Sequence, residues 1–493
     1  MRHAMHLGLV LLLSLPANLG TAAETSAPCD SGDAPRHVLM VLIDAVRPDH
    51  LGAYGYSRPT SPNFDRLAAT GALFEECRST STWSKPALAS LLSGFSPMIH
   101  GVEKGGLRET QEVRSLSLAF ETLPEFLKRH GFSAITYTGT PHLSAATGLT
   151  QGFDHVARGA QFGPGLVNDF LRWLEPPAAS SPPTVQPPSA RTSPWFAYVH
   201  LMNPHLPYTS SDHHQRLFSA ESYGDEEVPI PAAALAAVGG QAVRGTDDLR
   251  VYRARYDAAI HEADEGLGRI VGALRDQGLL EDTLILVTAD HGQQFLERGG
   301  LSHAGQPFEE LLRVPLLISY PRLVRQGIRV PGPVSLLDVY PTIADLLRLE
   351  PPAGLQGRSL RGALTGSDEK APAGAFVTTH TPMSARNRLR TDVVVLDGLK
   401  LHVTRQPNGD TRNALFDLRS DPLEKVNLAG ERPEDVERLL AVLEEMSRRA
   451  DELRPVPSPT PVEIPDDPAV TLLLEALGYL EGPSGLDRAS TGR

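Results

Sequence analysis

Three apolar runs in this chain end in residues that can bind a metal or move a proton. The run from His37 to Ile43 is followed at once by Asp44; Trp195–Val199 leads into His200, Asn203 and His205; Leu284–Thr288 leads into Ala289-Asp290-His291-Gly292. A carboxylate offers hard oxygen ligands, and an imidazole offers nitrogen that can also carry a proton near neutral pH. A single strand-end Asp is as easily a helix cap as a ligand. Three strands delivering carboxylates and imidazoles to one edge point instead to a shared site. A fourth segment, Thr82 to Gly94, places Ser84 as an N-cap, Pro86 in a first helical turn and Gly94 as a stop. Ser84 is either that cap or a nucleophile: a hydroxyl at a helix N-terminus meets the positive end of the dipole and free backbone N–H groups, which favour an anion. As a nucleophile it needs a base or a metal to activate it.

These residues must be held by a sheet. A continuous apolar run such as Val38–Ile43 predicts a strand buried on both faces. Thr122-Leu123-Pro124-Glu125 predicts a capping box opening a helix that ends at Gly131, with a further strand over Ser133–Tyr137. Tyr256, Ile260, Leu267, Val271 and Leu274 fall at helical spacing. This alternation predicts an α/β fold, a large, mostly parallel sheet with helices on both faces, whose ligands bind beyond the carboxyl ends of the strands. Asp392–Leu396, Leu399–Thr404 and Ala414–Leu418, with the turn Asn408-Gly409-Asp410, predict a small C-terminal antiparallel β-subdomain. The expected organisation is a leader over 1–23, a linker over 24–36, a catalytic α/β domain over 37–365 carrying a Pro/Ser-rich insertion at 176–190, the β-subdomain over 366–430, and a helix with a Pro-rich tail over 431–493. The tail leads into a short apolar segment, Val470–Leu480.

Composition narrows the chemistry. With 493 residues and a net charge of −13, the chain lacks the basic balance of a nucleic-acid binder. Its two cysteines, Cys29 and Cys77, make neither a disulfide framework nor a thiolate zinc site, so any metal is held by oxygen and imidazole. Arg2, the apolar run Leu7–Leu15 and Thr21-Ala22-Ala23 read as a cleaved secretory signal. No later run is long enough to span a bilayer, and the mature chain is expected to be secreted or periplasmic.

The motifs resemble, in order, those of the sulfatase family of the alkaline phosphatase superfamily. Ile43-Asp44-Ala45-Val46-Arg47-Pro48-Asp49-His50-Leu51-Gly52-Ala53-Tyr54-Gly55-Tyr56 is similar to its first metal motif and Ser84–Gly94 to its nucleophile helix. Asn203-Pro204-His205-Leu206-Pro207-Tyr208, Thr288-Ala289-Asp290-His291-Gly292, His303 through Glu310, and Leu415–Glu424 resemble its later motifs. The resemblance implies Asp44, Asp290 and His291 as ligands of one divalent metal ion, Ser84 as nucleophile and further ligand, and His205 and His303 as groups contacting the transferred group or leaving oxygen. It places His142 in a substrate-binding segment; His200 and Asn203 join it as substrate-binding candidates from their place at the strand end. Three departures bear on substrate. Leu88 stands where the Cys/Ser-x-Pro-x-Arg signature has Arg, which bears on conversion of Ser84 to formylglycine by a maturase. Ala45 and His291 replace an Asp and an Asn of the calcium sulfatases, which favours Mn²⁺ or Zn²⁺ over Ca²⁺. Thr140 stands where many sulfatases have Lys. The implied activity is hydrolysis of sulfate or phosphate/phosphonate esters of a small-molecule, glycan or lipid-derived anion. Transfer to an acceptor hydroxyl and a sulfatase-like binding protein without turnover are the competing readings.

Overall fold

The structure is a computed structural model that describes residues 33–102, 112–159, 163–175, 193–303, 305–368, 371, 374, 376–380, 389–454 and 461–463. The expected leader, the insertion at 176–190 and the apolar segment Val470–Leu480 lie outside the described residues.

Eight strands form the main sheet: β1 His37–Ile43, β2 Ala72–Arg78, β3 Ser133–Thr138, β4 His155–Arg158, β5 Trp195–Leu201, β6 Thr283–Thr288, β7 Arg313–Ser319 and β8 Ile328–Ser335. Their spatial order is β8-β2-β7-β6-β1-β5-β3-β4. Every residue of β1, β5 and β6 is buried, as continuous apolar runs require of central strands. β1 is parallel to both neighbours, with Leu42 opposite His200 on β5 and Thr288 on β6. The three central strands therefore end level, and Asp44, the segment after Leu201, and Ala289-Asp290 leave the sheet at one edge.

The sheet is mixed rather than wholly parallel: β7 runs antiparallel to both β6 and β2. After β6 the chain crosses the site edge, makes the short helix Glu309–Leu312 and enters β7 from that same edge. A parallel strand would need a crossover that carries the chain back to the opposite end.

Two sets of mutually contacting helices flank the sheet. One centres on Leu249–Asp276 and includes Pro62–Ala68 and Gly165–Leu174; the other centres on Ser84–Ser93 and includes Leu123–Arg129 and Val339–Leu346. The long helix starts earlier than its apolar spacing indicated, because the Asp248 side chain accepts from the Arg250 N–H and caps the added turn. The expected capping box at Thr122 is formed, and Gly131 takes φ +86°, a conformation that costs glycine little.

A second, antiparallel sheet follows: β9 Phe376–His380, β10 Arg390–Leu396, β11 Leu399–Arg405 and β12 Thr411–Asp417, paired in that order. β9 was not among the expected strands. Buried charge joins this sheet to the larger one: Lys400 Nζ lies 2.9 Å from both Glu309 and Glu424, and Arg78 pairs with Glu309 at 2.9 Å. The helix Pro433–Leu453 packs on β10. No helix among the described residues is long and apolar enough to cross a membrane.

Candidate active site

Asp44, Asp290 and His291 meet at the level ends of β1 and β6, all fully buried. One donor atom from each lies within 4.8 Å of the others. In each residue one atom is tied to the protein and another is turned inward. Asp290 Oδ1 accepts from the Ala45 N–H at 3.3 Å and the His291 N–H at 3.1 Å, and Oδ2 has no hydrogen-bond partner. His291 Nδ1 donates to Gly292 O at 2.8 Å, which leaves Nε2 unprotonated, 3.6 Å from Asp290 Oδ2 and 3.8 Å from Asp44 Oδ1. Asp44 Oδ2 accepts from His200 Nε2 at 3.0 Å, and Oδ1 has no hydrogen-bond partner. Burial alone would raise the Asp44 carboxyl, but the His200 hydrogen bond and the neighbouring imidazoles outweigh it and hold the group well below the usual carboxylate range.

Backbone geometry sets this corner. Ala45 adopts φ +56°, an uncommon conformation for a residue with a Cβ. Tyr256 of the long helix holds it there: its hydroxyl donates to Ala45 O at 2.7 Å and accepts from the Arg47 N–H at 2.9 Å. That turn aims the Ala45 N–H at Asp290. Gly292 lies so close to the next strand's approach that a Cβ there would sit 2.1 Å from Glu310 O, which accounts for a glycine directly after the Asp-His pair.

Ser84 corrects one expectation. It is the first residue of the helix Ser84–Ser93 and not its cap; Trp83, with extended backbone, is the N-cap, and no side chain caps the helix. The Ser84 hydroxyl is thus not spent on a backbone N–H. It lies 3.2 Å from His291 Nε2, to which it can donate, and is 1% exposed.

The remaining candidates divide. His205 Nδ1 donates to Leu206 O at 2.7 Å, and its Nε2 lies 3.0 Å from His303 Nε2. The His303 ring sits 4.5 Å from that of His291. Burial pushes both His205 and His303 below the usual imidazole value. His142 is pushed down to about 3 by burial and then by the Lys85 charge, and packs edge-on to Trp83. His200 stands behind Asp44, with Tyr198 Oη 3.1 Å from its Nδ1. Both of its ring nitrogens are engaged by protein, which corrects the expectation that it contacts substrate. Asn203 is not brought into the cluster: its amide donates to Glu262 at 2.8 Å and lines a separate groove of about 240 Å³ with His214 and Glu265.

Three residues escaped the sequence reading. Lys85, 2% exposed, follows Ser84 directly and could have been noticed as a cation beside a candidate nucleophile. Tyr198 shares a strand face with His200 by the two-residue period. Nothing local pointed to Tyr256, more than 200 positions from the turn it holds.

The two buried carboxylate oxygens without hydrogen-bond partners, facing one imidazole nitrogen and a hydroxyl, suit a divalent cation; uncompensated, two such charges would be costly to bury.

Comparison with known proteins agrees with this geometry. A family model described as Sulfatase matches residues 36–349, and one described as N-sulphoglucosamine sulphohydrolase, C-terminal, matches residues 306–453. Arylsulfatase K of Xenopus laevis is 32% identical over 197 residues, covering 39% of this chain and 36% of the relative, so the matched region spans about a third of that protein. The multifunctional alkaline phosphatase superfamily protein PehA of Trinickia caryophylli is 26% identical over 484 residues, covering 80% of this chain and 91% of the relative. The phosphonate monoester hydrolase of Agrobacterium radiobacter shares the fold, with a TM-score of 0.64 at 23% identity, covering 87% of this chain and 99% of that one. The first family match takes in the whole main sheet and every residue of the metal-type corner, and on that span the chain belongs to the sulfatase family of the alkaline phosphatase superfamily.

Proposed function

We propose that the protein is an exported, metal-dependent hydrolase of sulfate or phosphate/phosphonate esters, with Ser84 as the in-line nucleophile. The observation that carries this reading is the placement of the Ser84 hydroxyl 3.2 Å from His291 Nε2, in the corner where Asp44 Oδ1 and Asp290 Oδ2 lack hydrogen-bond partners. Asp44, Asp290, His291 and Ser84 would hold one Mn²⁺ or Zn²⁺ ion, which when bound lowers the pKa of the nucleophile and neutralises charge on the transferred group.

The chain's own groups supply the rest. The first-turn N–H groups of the helix Ser84–Ser93 and the buried Lys85 favour an anionic ester beside Ser84. Ser84 gives up its hydroxyl proton to solvent, its Oγ forms the new bond to sulfur or phosphorus, and the bond from that atom to the ester oxygen breaks. The His205–His303 pair, linked through Nε2, gives that oxygen its proton. Water then displaces the serine oxygen, releasing sulfate, phosphate or phosphonate and restoring the hydroxyl. An unmodified Ser84 favours phosphorus esters, because a serine sulfate lacks the exit that a formylglycine hydrate has by collapse to the aldehyde. Support for export is the apolar run Leu7–Leu15 with the small-residue site at Thr21-Ala22-Ala23.

The test pairs 4-nitrophenyl sulfate with 4-nitrophenyl phosphate and a phosphonate monoester, on wild type, Ser84→Ala and Asp290→Ala, with mass spectrometry of the peptide containing Ser84. We expect turnover of at least one ester and a fall of at least about 10³-fold in both variants. Background rates on all three esters from metal-loaded wild type would instead support a binding protein. A peptide lighter by two hydrogens identifies formylglycine and returns sulfate to the front.

A further inference from the structure

We propose that Tyr198 and His200 form a positioning relay that fixes the Asp44 carboxylate for metal binding and thereby sets the affinity of the site for its ion. This inference rests on the metal-centre reading above and extends it to two residues that touch neither the ion nor the substrate.

The three metal-type donors are not held in the same way. Asp290 is oriented by backbone N–H groups of Ala45 and His291, and His291 by the backbone carbonyl of Gly292. Among the described residues, Asp44 is the one of the three whose carboxylate is hydrogen-bonded by a side chain, and that side chain comes from a different strand. The register of β1 on β5 places Leu42 opposite His200, so Asp44 emerges just beyond the imidazole that receives it. Tyr198 lies two residues back on β5, on the same face as His200, and is completely buried.

The chain of hydrogen bonds has a fixed direction. Tyr198 Oη lies 3.1 Å from His200 Nδ1; burial, followed by the charges of Asp290 and Asp44, keeps the phenol protonated, so it donates. His200 therefore carries its own proton on Nε2 and donates it to Asp44 Oδ2 at 3.0 Å. A carboxylate held at one oxygen presents the other, Oδ1, as a single-atom ligand. Without the relay, Asp44 can rotate about its last torsion, and two buried carboxylates face each other with one restraint fewer. A second shell of this kind raises affinity by pre-orienting the ligand, and its loss typically costs about 10–100-fold in metal binding.

A merely structural role predicts a different outcome: loss of stability with unchanged affinity in the folded protein. The two are separated by stripping the purified protein with a chelator and titrating MnCl₂ calorimetrically into wild type, Tyr198→Phe, His200→Gln and His200→Ala, with the melting temperature of each metal-free protein measured alongside. We expect Mn²⁺ to bind about 10–100-fold more weakly to His200→Ala. His200→Gln should recover part of that loss, because its amide can still donate to Asp44, and Tyr198→Phe should show a smaller weakening as the His200 tautomer is released. Wild-type affinity in folded His200→Ala, or in both Tyr198→Phe and His200→Gln if His200→Ala does not fold, overturns the relay while leaving the metal centre intact. Failure of the wild-type protein to bind Mn²⁺ or Zn²⁺ overturns the metal centre itself, and the relay with it.

Discussion

At the scale of single residues, the site holds more imidazoles than a metal requires. His291 turns Nε2 toward the two carboxylates and Ser84, whereas His205 and His303 face each other through Nε2. This division groups His291 with the carboxylates and Ser84 and sets the other two imidazoles apart as a pair. If the His303–His205 pair protonates the leaving oxygen, its removal matters most when the leaving group is a poor one. We expect His303→Ala to lower kcat/KM by about 10²–10⁴-fold on an alkyl ester and by much less on a 4-nitrophenyl ester, whose phenolate leaves unassisted. Equal losses on both esters, measured under saturating metal, would remove the acid role. His142 shares the downward push of burial with that pair: at about 3, and packed edge-on to Trp83, it suits a hydrogen-bonding wall rather than a cation.

At the scale of elements, the decisive contact is between the antiparallel sheet and the main one. Lys400 on β11 is completely buried between Glu309, which begins the short helix before β7, and Glu424; Arg78 at the end of β2 holds the other side of Glu309. Burial would raise the Glu309 carboxyl, but Arg78 and Lys400 reverse that and hold it well below the ordinary range. Glu309 immediately precedes Glu310 and Leu311, whose carbonyls accept from the Gln293 N–H at 3.0 Å and the Gly292 N–H at 2.8 Å, so the cluster ties the second sheet to the loop that carries Asp290 and His291. Removing one partner from a buried ion cluster strands the charges that remain. Lys400→Met is expected to destabilise the fold by about 3–5 kcal/mol, read as a lower urea midpoint. A midpoint unchanged from wild type would show that water or a rearranged partner already solvates the glutamates.

At the scale of the whole molecule, stability should depend on acid through buried neutral histidines outside the Asp44–Asp290–His291 corner. His37 at the start of β1 stacks on Trp195 at 4.6 Å, and burial, helped by the Arg36 charge, pushes it down to about 3. His100, beside Ser90, is pushed down to about 3 by burial as well. A folded-state value below the unfolded one near 6.5 means that the unfolded chain takes up the proton first. The contribution of these groups is therefore complete above about pH 6.5 and is lost as pH falls toward 3, by up to about 1.4 kcal/mol per pH unit for each. His37→Phe keeps the stacked ring and removes one such proton; its stability between pH 6 and 4 should fall less steeply than that of wild type. Parallel curves for the two proteins would show that His37 is not buried neutral.

Much of this architecture was legible in local pattern. Continuous apolar runs located β1, β5 and β6, because a strand covered on both faces has no polar alternation; the same runs placed Asp44, His200 and Asp290 at strand ends, where open sheets bind ligands. The capping box at Thr122 and the stop at Gly94 depend on neighbours a few residues away and were equally readable. Other features depend on where distant segments come to rest. That Asn203 turns to Glu262 while His205, two residues on, turns to His303 follows from the helix packed beside that loop. That His200 stands behind Asp44 follows from the register of β1 on β5, and the reversed direction of β7 from the absence of a crossover. Residue type and local spacing determined which groups were available for chemistry. The tertiary structure decided which atom of each is tied to the protein and which is turned inward, because hydrogen-bond direction is set by partners that strand register and helix packing bring together from more than a hundred residues away.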